Sequence, residues 1–423
     1  MMVTILTTDQ FPFSYSEPFL NEEISYHNEE VYIVPCYCGE DYKPRELSAL
    51  KRENIHVMRP NSSFFHNVKI VRIFYAIKVI FSCLFWVEIN KLIKIRKVNL
   101  KRITQLMLFL SKSIEITKYI DVKIKTNKLQ YERIVFYSYW MNASALSSIY
   151  LRRKYPNSIS VTRAHGYDLY DRKDNYYYCS MQDYIINNIQ FIFTVSDDGR
   201  KYLLNKYGKS IEIIEKIMVS RLGSRDHGVN NINNLKEHFH IVSCSSLIPL
   251  KRVNLIIESL KLIRNIDIQW THIGSGKLLE DLKAMASENM PNNIRVTFTG
   301  QISQESLFEF YSHNSVYLFV NVSETEGIPV SIMEANSFGI PTIATDVGGV
   351  GEIVMNNNSG WLLEKNFTPP DLANLIYTIC SMNYDEYMMF RINARKNWEV
   401  NFQSDVNYNL FLHNLYELCW QNI

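Results

Sequence analysis

Two carboxylates, Glu326 and Glu334, stand eight positions apart in the run Asn321-Val-Ser-Glu-Thr-Glu-Gly-Ile-Pro-Val-Ser-Ile-Met-Glu334. A Gly327-Ile328-Pro329 turn directly follows the first of them. Carboxylates repel phosphate but accept hydrogen bonds from sugar hydroxyls, while the open N–H groups at a helix start attract phosphate. The combination suits a ligand that carries both groups, such as a nucleotide-sugar. The elements needed to hold it are legible on either side. Val316-Tyr-Leu-Phe-Val320 is a short apolar run that predicts a buried strand. Pro329 suits the first turn of a helix over Val330–Phe338. Glu326 then lies at the strand exit and Glu334 about two turns along the helix.

With Glu334-Ala335 and the continuation Gly339-Ile-Pro-Thr-Ile-Ala-Thr-Asp-Val-Gly-Gly-Val-Gly-Glu352, this segment resembles the retaining GT-B glycosyltransferases of family 4. The resemblance implies that Glu326 approaches the donor sugar and Glu334 binds the ribose hydroxyls. Gly327, Ile328 and Pro329 would line the same donor site. Taken without the family, both glutamates also fit a surface helix whose dipole favours an acid near its start.

Other segments extend the resemblance. Ala164-His165-Gly166-Tyr167-Asp168 follows the apolar run Ser158–Thr162, at a strand end where ligands gather in open α/β sheets. The family's His-Gly pair implies that His165 contacts the donor sugar near the reacting centre, with Asp168 orienting it, binding acceptor or capping a turn. Ser246-Leu-Ile-Pro-Leu-Lys251-Arg252 stands where relatives carry Gly-Arg-Leu-x-x-x-Lys. Lys251 keeps the cation that faces the donor diphosphate. Ser246 replaces the usual Arg, and adjacent Arg252 is the candidate substitute, since an Arg fork matches phosphate geometry. Gly274-Ser-Gly276 lacks the third glycine of a dinucleotide fingerprint, because Leu279 stands there. By resemblance it is a tight turn beside the nucleotide, and Gly300-Gln-Ile302 is the loop against the base. Ser14-Tyr-Ser-Glu17-Pro-Phe-Leu resembles a variant of the first-domain loop in bacterial surface-polysaccharide enzymes. That places Glu17 on the acceptor side, although a helix-initiating Glu before Pro18 explains it equally well.

No Asp-x-Asp occurs in the chain. No metal site and no cofactor is expected, and basic side chains with helix N–H groups are left to stabilise a departing diphosphate.

At 423 residues, with 47% hydrophobic and 21% charged content, the composition is that of a globular chain long enough for two domains. A net charge of +2 argues against nucleic acid as a partner. The seven cysteines are scattered and show no zinc spacing, which fits free thiols in a reducing cytoplasm. Met1-Met-Val-Thr-Ile-Leu predicts a first buried strand and not a signal peptide.

Strand and helix patterns alternate over Val3–Thr7, Val31–Pro35, Ile134–Tyr137, Ala143–Arg153, Ser158–Thr162 and Phe191–Val195. A polar stretch, Ser224–Asn234, predicts a linker. A second series runs through His240–Cys244, Val253–Ile263, Ile268–Ile273, Lys277–Ser287 and Arg295–Thr299. The expected fold class is α/β: GT-B, two Rossmann-like doubly wound parallel-sheet domains facing a cleft. Residues 1–223 form the acceptor domain and 236–400 the nucleotide-sugar domain. The amphipathic segment 401–423 returns to the first domain by family resemblance. The stretch 66–128 fits no simple alternation. It carries fourteen basic against three acidic residues, interleaved with Phe74, Phe81, Phe85 and Trp86. Two readings stand: helices packed on the first sheet with solvated lysines, or a peripheral contact with an anionic membrane.

The expectation is a retaining, metal-independent glycosyltransferase with a glycan or lipid-linked oligosaccharide as acceptor, acting in bacterial polysaccharide synthesis. A nucleotide-sugar epimerase on the same scaffold and a non-catalytic assembly subunit are the alternatives.

Overall fold

Among the described residues, apolar runs rich in Val, Ile and Phe become thirteen short strands, most of them buried on both faces as a covered parallel sheet allows. The computed structural model describes residues 2–13, 17–36, 47–58, 69–171, 178–230 and 239–422. It divides into two units, Met1–Ser220 with Tyr408–Ile423, and Arg221–Asn407.

The first unit holds β1 (Met2–Thr8), β2 (Glu30–Pro35), β3 (Ile55–Val57), β4 (Arg133–Ser138), β5 (Ser158–Ala164), β6 (Phe191–Thr194) and β7 (Ile217–Val219). They pair in parallel in the order β3-β2-β1-β4-β5-β6-β7. The second unit holds β8 (Phe239–Cys244), β9 (Ile268–Ile273), β10 (Ile294–Gly300), β11 (Leu318–Asn321), β12 (Thr342–Thr345) and β13 (Gly360–Leu363). Their order is β10-β9-β8-β11-β12-β13, again all parallel. In each sheet the winding reverses beside the first strand, between β1 and β4 and between β8 and β11. Such reversals open a crevice at the carboxyl ends of the strands.

The basic stretch is helical: Lys69–Ile80, Cys83–Lys94 and the long Leu100–Thr126. Val79, Phe85, Ile89, Leu92, Leu106 and Leu110 pack with Leu146 and Ile149 of the first unit. Residues 66–68 lie outside the described residues. The final helix, Ser404–Asn422, contributes Phe411, Leu412, Leu415 and Cys419 to a core shared with Leu6, Val135 and Phe193.

Part of the expected linker is built into the second unit. Ser224 bridges to Gln403, and its hydroxyl receives the indole N–H of Trp398 at 2.8 Å. Asn230 is buried, donates to the Asn314 carbonyl, and its own carbonyl receives Arg391 Nη2 at 2.7 Å. Residues 225–229 between them are exposed, so only the two ends of this polar stretch turn inward, where their polar atoms meet backbone and Trp398. Residues 231–234 lie outside the described residues.

Two buried histidines tie the strands of the second sheet. His272 Nε2 lies 3.1 Å from the Ser245 carbonyl, so that nitrogen carries the proton, and Nδ1 accepts from Ser243 Oγ at 2.8 Å. Burial pulls both His272 and His240 down to about 4 from 6.5. Unfolded histidine binds more protons than folded histidine between those values, so this stability is present above pH 6.5 and is lost as pH falls through 4. Each site contributes on the order of 2–3 kcal/mol. Denaturant titrations from pH 7 to pH 4 should show the loss, and His272→Gln should flatten the slope. An unchanged slope in that variant would refute the assignment.

Candidate functional site

The second-unit crevice is bordered by the loops that follow β8 and β11. After β8 the chain makes a short turn, Pro249–Lys251, and enters the helix Val253–Leu260 through Arg252 at φ +49°. After β11 it runs through Glu326 into the helix Val330–Ser337, with Pro329 at the N-cap. Lys251 Nζ meets Glu326 Oε1 at 2.5 Å. Both side chains keep some exposure, 22% and 11%, so the pair borders solvent and is not sealed in the core. The helix N-terminus opens beside Glu326. Ile332 and Met333 donate to the Pro329 carbonyl, which leaves the Val330 and Ser331 N–H groups at the open end.

Glu334 lies on that helix, 6% exposed, and accepts from Gln304 Nε2 at 3.0 Å. Cys244, at the end of β8, senses both charged neighbours. Burial pushes its thiol well up, Glu334 pushes it further, and Lys251 opposes. Lys251, Glu334 and the reversal point therefore share one locality. A small cavity there is lined by Ser243, Cys244, Ser245, Lys251, Asn321 and Ser323.

Arg252, the candidate substitute for the diphosphate cation, has its guanidinium engaged by the protein itself. Nε donates to the Val322 carbonyl at 2.8 Å and Nη1 to the Lys365 carbonyl at 2.8 Å. Nη2 reaches the Ser323 carbonyl and Thr345 Oγ1. The guanidinium braces the loop that carries Glu326, and Lys251 is left as the cation that faces the crevice. Ser246 is exposed and has no charge to offer.

The glycines bring backbones together. Gly348, at φ +56°, lies so close that a Cβ there would sit 2.0 Å from the Glu326 carbonyl oxygen, and Gly349 N–H donates to the Gly327 carbonyl at 2.7 Å. Gly274, at φ +136°, presses equally closely on the Ser245 carbonyl and donates to the Gly300 carbonyl. Ile328 is buried under the turn.

The first unit gathers its polar groups at the ends of β1, β4 and β5. Glu17 is 1% exposed. Its carboxylate accepts from the N–H groups of Asp9, Gln10 and Phe11 and from Trp140 Nε1 at 2.6 Å. Asp168, also 1% exposed, takes the N–H of His165 and of Met141, each at 2.6 Å. Each of these carboxylates, expected on the acceptor side, thus bonds to the backbone or side chain of a neighbouring strand end. Ser14–Ser16 lie outside the described residues. His165 is held among Phe19, Tyr139 and Trp140, the last with ring centroids 4.3 Å apart. Its Nδ1 stands 3.8 Å from Asp168 Oδ2, and among the described residues neither ring nitrogen has a hydrogen-bond partner. A buried imidazole without partners is costly unless a ligand completes it.

Three residues escaped sequence reasoning. Asp9 follows β1 at the reversal point and accepts from Asn142 Nδ2 at 3.1 Å. Burial and then the Glu17 carboxylate raise its pKa, against Lys112. Asp9 and Asn142 each sit just past a strand end, and that position was the available signal. Gln304 opens the helix after the Gly300 loop and carried no comparable mark. Among the described residues no three His, Cys, Asp or Glu side chains converge as a metal site would require.

Residues 228–397 match the family model "Glycosyl transferases group 1". The chain is 28% identical over 159 residues to the amylovoran biosynthesis glycosyltransferase AmsK of Erwinia amylovora, covering 35% of this chain and 38% of that protein. It is 25% identical over 217 residues to the O-antigen biosynthesis glycosyltransferase WbnH of Escherichia coli, covering 51% and 57%. The chain thus spans under two thirds of the length of these curated relatives. Among solved structures, Anabaena Alr3699/HepE in complex with UDP and glucose superposes with a TM-score of 0.67 at 13% identity, over 98% of this chain and 99% of that one. That likeness extends over both sheets and gives the fold as GT-B. The segment that matches the family model, 228–397, is the one that carries the Lys251–Glu326 pair and Glu334.

Proposed function

We propose that the chain is a retaining glycosyltransferase that moves a sugar from a nucleoside-diphosphate sugar to a glycan or lipid-linked acceptor in bacterial surface-polysaccharide synthesis. The observation that carries this is the Lys251–Glu326 pair at the mouth of an open helix N-terminus, one helix face away from the buried Glu334. The similarity to amylovoran and O-antigen biosynthesis glycosyltransferases, and the UDP and glucose bound to the Anabaena protein, support it.

In this reading the second unit holds the donor and the first unit the acceptor. Glu334 accepts the ribose hydroxyls, Glu326 faces the sugar, and Lys251 with the Val330 and Ser331 N–H groups stabilises the departing diphosphate. His165 serves the reacting sugar, and Asp9 with Asn142 supplies polar contacts to the acceptor. No metal is assigned a part, so activity should survive EDTA. The site of action is the cytoplasmic face of an anionic membrane, met through the basic region 66–128. Among the described residues no helix is long and apolar enough to cross a membrane.

Calorimetry with UDP-, GDP-, ADP- and dTDP-sugars tests the donor site. One nucleotide should bind, and Glu334→Ala should weaken it about tenfold or more, since a charged hydrogen-bond acceptor contributes ~1.5–3 kcal/mol. A folded protein that binds none of the four would end the transferase reading.

A further inference from the structure

We propose that the helices Lys69–Ile80 and Cys83–Lys94, with the start of Leu100–Thr126, form a face that docks on an anionic lipid bilayer. This deepens the membrane part of the proposed function and rests on no residue of the donor site.

The Cys83–Lys94 helix is apolar well beyond the side it turns to the core. Phe85, Ile89 and Leu92 point into the core of the first unit. Trp86, Val87 and Ile93 are each about half exposed: Trp86 and Ile93, seven positions apart, share one line along the helix, and Val87 lies about a quarter turn further round. The preceding helix turns Phe74 and Ile77 outward, and Phe81, between the two helices, is 84% exposed. Leu100 is 80% exposed and Leu108 continues its line. An ordinary surface helix keeps one apolar stripe against the core and a polar one toward water. A second stripe of this size marks a surface that something apolar covers.

Charge identifies the cover. Lys78, Lys94, Arg96, Lys97 and Lys101 are exposed among these apolar groups. The only acid between Phe74 and Lys101 is Glu88, which is buried and accepts from Tyr178 OH at 2.6 Å. A protein partner would need its own acids set into an apolar patch. An anionic bilayer offers both properties at once: a hydrocarbon boundary for the aromatic and aliphatic groups and phosphates for the cations. Each helix has 12 residues and is too short to span, so the pair lies in the plane of the interface.

Flotation with phosphatidylcholine vesicles, with and without phosphatidylglycerol, tests the proposal. The full chain should float with the anionic vesicles at low salt and much less at high salt. Phe81→Ser with Leu100→Ser, and separately Lys78→Glu with Lys94→Glu and Lys97→Glu, should each lower partitioning about tenfold or more. All five positions are exposed, so circular dichroism and nucleotide-sugar calorimetry should match the unaltered protein. That control separates failure here from failure of the donor site. A folded wild type that does not float, or variants that float as well as it does, would overturn the proposal. So would dimerisation of the wild type that the Phe81 and Leu100 changes abolish, because a second copy would then be the cover.

Discussion

Lys251→Ala should lower turnover by about 10²–10³-fold, corresponding to ~2.7–4 kcal/mol of lost electrostatic stabilisation at a developing anion. The geometry explains why the effect should fall on turnover more than on donor affinity. In the structure Lys251 is neutralised by Glu326 at 2.5 Å, so a ground-state diphosphate must compete for a cation that already has a partner. As the glycosidic bond breaks, negative charge grows on the leaving oxygen and tips that competition toward the diphosphate. Only interactions stronger in the transition state than in the ground state accelerate chemistry. Lys251→Arg should recover part of the loss, since charge is restored but the fork approaches phosphate differently. The measurement is the initial rate of nucleoside diphosphate release at saturating donor, with the donor affinity determined separately by calorimetry. Turnover of the alanine variant within threefold of wild type would remove Lys251 from the chemistry. A tenfold or greater loss confined to affinity would make it a binding residue only.

Arg252 shows how close sequence reasoning came and where it stopped. Adjacent cations before a helix suggested two phosphate ligands, and composition alone does not distinguish them. Backbone conformation does: Arg252 takes a left-handed φ that turns its side chain onto the Val322, Ser323 and Lys365 carbonyls. The Glu326–Glu334 element was readable because each of its parts has a local cause. The apolar run makes β11, Pro329 stands at the N-cap of the helix that follows the loop, and eight positions separate the two acids. Glu17 and Asp168 were located but their task was hidden. A carboxylate that gathers N–H groups, four on Glu17 and two on Asp168, looks the same, one-dimensionally, as one that waits for a sugar. Trp140 Nε1 on Glu17 joins residues 123 positions apart.

The basic helices were the least legible part of the fold. Their pattern of apolar and charged residues satisfies neither one stripe nor alternation, and the structure explains why: two apolar faces overlap in one sequence. In the polar run before β8, residues 225–229 are exposed, while Ser224 and Asn230 on either side of them are not. Asn230 and Ser224 look solvated by type, yet both are buried because their polar atoms are met by backbone and by Trp398. Residue type is a guide to burial only when the hydrogen-bond partner is also local.

The largest expected stability effect belongs to a residue the site does not use directly. Arg163 ends β5 two positions before His165 and is wholly buried. Its Nε donates to Tyr137 OH at 2.9 Å, Nη2 stands 3.3 Å from Glu23 Oε2, and Phe411 of the final helix covers the guanidinium at 4.2 Å. Burial works against the charge, but the Glu23 carboxylate and the surrounding tyrosines hold Arg163 above its ordinary pKa. Arg163→Met keeps much of the volume and strands the Glu23 charge in the core. Breaking a buried pair from one side costs about 3–5 kcal/mol. Glu23→Gln should also destabilise, and the double variant should be less unstable than the two single losses added together, because no uncompensated charge remains. Urea titrations of the four proteins would supply that cycle. A loss below ~1 kcal/mol in Arg163→Met, or strict additivity in the double variant, would mean that the packing of Phe411 against β5, and not the ion pair, holds this part of the first unit.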